Sequence, residues 1–224
     1  MPAHFFVADL ADPVVADEDL HHAQRVLRLR QGEEITVSDG AGGWRRCRWT
    51  TGGRAEPESE IATDPKPDPP LTVGFALTKG EKGTTVVQKL TECGVDRIIP
   101  FVAERSIVRW DGRKQVEVVD RWRRIAREAS MQSQRTWLPT VNPVIDFDGI
   151  ARSAAPVIAH MDGSSLAPGD DFVLVGPEGG WSERELGMGG RRVRLAPHVL
   201  RAETAAVAAG VLLTALRAKL ITTA

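Results

Sequence analysis

Cysteine is scarce in this 224-residue chain: Cys47 and Cys93 stand far apart and form no CxxC pair. That argues against a disulfide framework or a zinc knuckle and predicts a reduced, cytoplasmic setting. No apolar run approaches the ~18 residues that a membrane-crossing helix needs. The first residues, Met1-Pro2-Ala3-His4, lack the basic-then-apolar pattern of a secretion signal. There is no GxxxxGK(S/T) phosphate loop, no GxSxG elbow and no HExxH motif, which sets aside the enzyme classes that depend on them. Nor does GxGxxG follow the first strand of the larger domain, so a nicotinamide-dependent Rossmann enzyme is not expected. His21 and His22 are adjacent and diverge on a helix, while His4, His160 and His198 show no ligand spacing. No metal is expected.

A net charge of −1 argues against wholesale polyanion binding. Charge is nonetheless uneven. Between residues 105 and 135 nine basic side chains face four acidic ones, Asp111, Glu117, Asp120 and Glu128. That excess suits a phosphate-binding face, and equally a solvated helix surface.

Residues 54–70 read RAEPESEIATDPKPDPP, with five prolines and little apolar content. The segment predicts an extended linker and the domain boundary, with Ile61 free to join an edge strand. Before it, Asp17 can cap a helix over residues 18–29, and Gly32 stops it. Residues 33–38 and 43–51 flank the turn signal Asp39-Gly40 as a hairpin. A small β-barrel-like module over residues 1–70 follows. After the linker, residues 71–77, 97–102, 156–160, 172–175 and 192–195 read as strands, and residues 84–93, 116–134 and 203–220 as helices. Such alternation predicts an α/β domain over residues 71–224 with a largely parallel sheet.

Two loops in that domain look built for a ligand. Gly176-Pro177-Glu178-Gly179-Gly180-Trp181 leaves the apolar run 172–175, delivering bare backbone to the carboxyl edge of the sheet. Ser182 and Glu185 form a capping box, so a short helix should begin directly after the glycines. Leu200-Arg201-Ala202-Glu203-Thr204-Ala205 then enters a long alanine-rich helix. Polar groups there have no core role and suggest one shared pocket.

GPEGGWSERE and LRAETA resemble the signature loops of the SPOUT-class methyltransferases, and within that class the RsmE family. Further agreement comes from His22-x-x-x-Val26-Leu27-Arg28, from Gln88-Lys89-x-Thr91-Glu92-x-Gly94-Val95 with Glu104-Arg105-Ser106, and from Arg124-Ile125-x-x-Glu128-Ala129-x-x-Gln132-Ser133-x-Arg135. The resemblance implies an N-terminal PUA-like RNA-binding barrel and a C-terminal SPOUT domain with a deep trefoil knot. It also implies a homodimer that uses S-adenosylmethionine to methylate N3 of a uridine in 16S rRNA of the small ribosomal subunit. By position, Gly176, Pro177, Glu178, Gly179 and Gly180 would form one wall of the cofactor pocket. Leu195, Ala196, Leu200, Arg201, Glu203, Thr204 and Ala205 would form the other. Glu203 or Glu178 would assist loss of the imide proton and Arg201 would stabilise charge on the base, while His22, Arg28, Arg105, Arg124 and Arg135 are the candidate RNA contacts. Where the family has Leu-Gly, this chain has Leu195-Ala196-Pro197, whose Cβ and ring are expected to narrow the pocket. His4 stands where the family carries an Arg. The alternatives are a SPOUT enzyme for a ribose 2′-hydroxyl or a tRNA base, and an RNA-binding assembly factor without catalysis.

Overall fold

The computed structural model describes residues 2–153 and 156–222; the side chains of His22, Thr51 and Ser153 lie outside the described residues. Two compact units emerge, Met1–Pro67 with Arg127–Leu138, and Asp68–Ala126 with Pro139–Ala224. The sequence suggested one boundary near residue 70, whereas Arg127–Leu138 groups with the first unit. Long-range bonds account for this. Met131 is buried in that unit's core, the amide of Gly42 donates to the Thr136 carbonyl (3.0 Å), and Trp137 Nε1 donates to the Asp64 carbonyl (3.2 Å).

The first unit holds β1 (Ala3–Phe6), α1 (Asp17–His21), β2 (Glu34–Ser38), β3 (Gly43–Trp49), β4 (Ala55–Pro57) and β5 (Ala62–Thr63). The sheet runs β1-β2-β3-β4 with β5 also on β3, and only the β1–β2 pair is parallel. Its core centres on Phe5 stacked with Trp49, around Ile35, Val37 and Met131. The expected hairpin is present. The expected helix over 18–29 is cut short: α1 gives way to a wider turn at His22–Val26. Arg28 then adopts φ +54°, a left-handed conformation that no helix continues through, and the Leu29 amide closes onto the Ala23 carbonyl. The proline-rich segment is not a bare linker either, since β4 and β5 lie within it. Pro57 sits at the edge opposite Cys47, where a missing amide costs no ladder bond. Ile61 stays outside β5 and is half exposed.

The second unit comprises β6 (Thr72–Ala76), α2 (Lys82–Cys93), β7 (Arg97–Val102), α3 (Gly112–Gln132, less its last turns), β8 (Thr140–Val141), β9 (Ile145–Asp146), α4 (Phe147–Ser153), β10 (Val157–Ser164), β11 (Phe172–Val175), α5 (Glu183–Met188), β12 (Arg192–Val193) and α6 (Ala202–Arg217). The strands run β12-β10-β11-β6-β7-β8, with β9 also on β7, and every pairing is parallel. Thus β11 inserts between β10 and β6 although β10 precedes it in the chain. Strand periodicity sorts the core into two faces. Val73, Phe75, Ile98, Val173 and Val175 pack with Val87, Leu90, Trp122 and Leu213 from α2, α3 and α6. Ala76, Ile99, Phe101 and Leu174 point the other way, toward Phe147, Ile150 and Trp181. Burial on both faces explains why these strands read as unbroken apolar runs.

Candidate functional site

Because the sheet is parallel, β6, β7, β10 and β11 all end on one edge, where open α/β sheets bind ligands. A cavity of about 680 Å³ opens there, lined by residues that follow those strands and precede α6. Arg105 comes after β7, His160 and Met161 from the middle of β10, Gly176 to Trp181 after β11, and Val199 to Arg201 with Ala202 and Ala205 from the approach to α6 and its first turn. A narrower extension of about 110 Å³ is shared by His160, Leu195, Ala196, His198 and Leu200. The two expected loops therefore meet, as the sequence suggested.

The first loop is held by local packing. Trp181 Nε1 donates to the Ala159 carbonyl (3.0 Å), and the indole stacks on Phe101 with ring centroids 5.9 Å apart. A side chain at Gly176 would put a Cβ 2.8 Å from that indole, so only glycine lets the backbone pass. Gly180 takes φ +72°, which admits glycine at no steric cost. The capping box forms as expected: Ser182 Oγ accepts from the Glu185 amide (3.1 Å), and Glu185 Oε2 accepts from the Ser182 amide (2.9 Å). Glu185 is fully buried, and its other oxygen accepts from the Glu104 amide (2.9 Å). One carboxylate thereby ties the loop after β7 to the loop after β11.

The charged groups divide. Lys82, in the first turn of α2, places Nζ 3.0 Å from Glu178 Oε1 and 3.5 Å from Glu203 Oε2. Burial pushes the Glu178 carboxyl up, but its own backbone amide, the Lys82 bond and the Lys79 charge outweigh this and leave it below the usual carboxylate range. The bond to Glu178 in turn raises the Lys82 ammonium. Of the two glutamates, Glu178 lines the cavity and Glu203 does not; Glu203 faces Lys82, with Oε2 buried and without a hydrogen bond. Arg201 lines the cavity, is exposed, and has no ion-pair partner among the described residues.

Most of the expected site residues converge here. Gly176, Pro177, Glu178, Gly180, Leu200, Arg201 and Ala205 line the main cavity, and Leu195 and Ala196 its extension. Ala196 is among the residues lining the narrow part, while Pro197 is absent from the lining. Thr204 is exposed outside both cavities. Gly179 contributes its carbonyl to Arg105 Nη1 (3.4 Å), which brings an expected RNA contact against the glycine loop. Arg124 is exposed, and the ion pair with Glu128 that its spacing permits does not form among the described residues. Arg28 and Arg135 lie in the first unit, and the His22 side chain lies outside the described residues. Much of the basic excess is neutralised: Arg113 meets Glu117, Arg121 meets Glu81, Arg123 meets Asp120 and Arg127 meets Asp19. Sequence reading missed Lys82, His160 and Met161. The available signal was position: Lys82 opens the helix that comes after β6, and His160 and Met161 continue the apolar start of β10.

Several residues suit S-adenosylmethionine. The cavity exceeds the ~300 Å³ at which small-molecule pockets begin, its backbone is bared by glycines, and Val175, Leu186, Val199, Leu200 and Ala205 supply apolar lining. Glu178 and Glu183 supply the sign that complements a sulfonium. Among the described residues no group of His, Cys, Asp and Glu could hold a metal ion, and no helix is long and apolar enough to cross a membrane.

Comparison with known proteins agrees with this geometry. The RNA methyltransferase domain family matches residues 65–214, and the RNA methyltransferase PUA domain family matches residues 15–53. The chain is 32% identical to the ribosomal RNA small subunit methyltransferase E of Mycobacterium bovis, over 92% of this chain and 88% of that protein. It is 30% identical to the protein of that name from Bacillus subtilis, over 85% of each. Among solved structures, the Neisseria gonorrhoeae protein of that name, bound to S-adenosylmethionine, superposes with a TM-score of 0.77 at 28% identity, covering 96% of this chain and 98% of that one. A putative methyltransferase from Legionella pneumophila, also with bound S-adenosylmethionine, gives 0.81 at 27% identity over 96% and 98%.

Proposed function

Since the chain belongs to the ribosomal RNA small subunit methyltransferase E family, we propose that it transfers a methyl group from S-adenosylmethionine to N3 of a uridine in 16S rRNA. The observation that carries this reading is the meeting of the two signature loops around one cavity, with an ionised carboxylate and a free guanidinium on its lining. When bound, S-adenosylmethionine supplies a methyl group already activated on a sulfonium, so the protein's task is positioning and proton management. Backbone from Gly176 to Gly180 and the apolar residues Leu200 and Ala205 hold the cofactor and exclude water. Glu178 is charged at neutral pH and accepts the imide proton of N3. Arg201 faces the negative charge left on the base. Glu203 acts through Lys82, holding the ammonium that in turn orients Glu178.

The wider reading has four parts. The second unit is a SPOUT domain with a trefoil knot; the insertion of β11 between β10 and β6 supports it. The first unit is a PUA-like barrel, supported by its mainly antiparallel five-stranded sheet and by the match over residues 15–53. The working form is a cytoplasmic homodimer, for which the outward apolar residues Val211, Leu220 and Ile221 offer contact area. Its substrate is the small ribosomal subunit.

Glu178→Gln should lower the single-turnover rate at saturating cofactor at least about a hundredfold, with a smaller loss of cofactor affinity from the missing negative charge, and Glu203→Gln should have the smaller effect on the rate. Wild-type rates in Glu178→Gln would remove Glu178 as proton acceptor. Nucleoside mass spectrometry of 16S rRNA from cells lacking the gene tests the substrate: 3-methyluridine should disappear, and its persistence would overturn the reading.

A further inference from the structure

Three segments that the cofactor site does not use come together in the first unit. Residues 2–5, Leu27 with Leu29, and residues 131, 132 and 134 line a cavity of about 390 Å³. We infer that this cavity is a second binding site, a slot for one unstacked nucleobase of the RNA, flanked by arginines that hold its phosphates. The inference rests on RNA being the substrate and adds where a base other than the one in the methyl-transfer cavity is read.

The lining has the chemistry such a ligand needs. Leu27, Leu29, Phe5 and Met131 supply apolar surface for the faces of a ring, with the Met131 thioether a polarizable partner for it. Gln132 and Gln134 supply amides for its edge. Gln134 is pre-oriented, because its Nε2 donates to the Pro2 carbonyl (2.7 Å), which leaves Oε1 as an acceptor. Gln132 is exposed and has no partner among the described residues, so its donor and acceptor are both available. His4 closes the wall. Its Nδ1 bonds Thr36 Oγ1 (2.7 Å), and burial, against a raising effect of the Arg135 carbonyl, lowers its pKa to about 4. The wall is therefore neutral at physiological pH.

The charges lie beside the slot rather than in it. In the turn after Val26, Leu27 and Leu29 line the cavity while Arg28 and Arg30, next to them in the chain, do not. Arg25, Arg28 and Arg30 are all exposed, and none has an ion-pair partner among the described residues. Unpaired cations on the rim and amides within match the division in nucleic-acid recognition, where phosphate contacts position and base contacts specify. An aliphatic lipid chain would leave both amides without a partner, whereas the edge of a base offers donors and acceptors to each. The PUA match over residues 15–53 covers only one of the three walls.

The test measures binding of the full-length protein to a short single-stranded oligoribonucleotide and to the same RNA with one abasic ribose. Wild type should prefer the intact RNA by about tenfold or more. Leu27→Trp, at a partly exposed position, fills the slot and should erase that preference without weakening the abasic RNA. Gln132→Leu should change which base is preferred. Arg28→Ala should weaken both RNAs alike and reduce the salt slope by about one. Retention of the wild-type preference in both Leu27→Trp and Gln132→Leu overturns the inference, as does a wild-type protein that shows no preference or no binding. Methyl transfer to unmethylated small subunits, assayed in parallel, reports on the proposed function separately.

Discussion

Glu185 and His4 are both ionisable, both buried, and both close to a cavity, yet the two units settle them differently. Glu185 satisfies each oxygen with a backbone amide, from Ser182 and from Glu104. His4 satisfies Nδ1 through Thr36, while its buried Nε2 makes no well-formed hydrogen bond and the Arg135 carbonyl offsets only part of the cost of burial. The first arrangement fixes two loops at once and makes the rim of the large cavity a rigid frame. The second keeps a ring neutral by withholding solvation. A buried carboxylate with full hydrogen bonding stiffens a site, whereas a half-satisfied imidazole makes one sensitive to acid.

Removing the better satisfied group should do more damage. Glu185→Ala leaves the buried Ser182 amide and the part-buried Glu104 amide unpaired and deletes half of the capping box, and should cost about 3 kcal/mol in chemical denaturation. Cofactor binding by calorimetry should fail with it, because both the β7 and β11 loops lose their tie. A loss below about 1 kcal/mol would mean that the frame is held elsewhere.

For His4 the probe is pH. The ring titrates near 4 in the folded chain and near 6.5 unfolded, so between those values the unfolded chain binds more protons. Stability should therefore be level above pH 6.5, fall as pH drops from 6.5 toward 4, and lose no more from this group below that. The full effect is about 3 kcal/mol, read in denaturant titrations over that pH range. His4→Gln should flatten the slope, and an unchanged slope in that variant would assign the acid sensitivity to other groups.

The smallest effect separates capping from tying. Ser182→Ala removes the hydroxyl that accepts from the Glu185 amide but leaves the Glu185 carboxylate in place. It should cost about 1 kcal/mol in thermal unfolding and leave cofactor affinity within a few-fold. If it abolished cofactor binding, the short helix itself, and not the Glu185 bridge, would be holding the loop.

Local features were legible in the chain. The Ser182–Glu185 capping box, the Gly94 stop of α2, the Asp39-Gly40 turn and the strands 97–102 and 172–175 depend on hydrogen bonds and periodicities within a few residues. Elements that depend on distant partners were not. β1, β4 and β5 have two to four residues each, too few for a pattern, and exist because β2 and β3 offer them a ladder. The end of α3 reads as a continuous helix and gives no sign that Met131 belongs to another core.

The sites divide in the same way. By itself the sequence determined which two loops would line one cavity, because glycine placement, a capping motif and charge type are properties of short segments. Only the tertiary structure decided that Lys82 joins Glu178 to Glu203, and that Leu27 and Gln132 face one slot. Those contacts close chain loops of dozens to more than a hundred residues. No local propensity encodes such a closure: in the second unit it follows from a sheet whose strand order departs from the order of the chain, and in the first from the burial of Met131 in that unit's core.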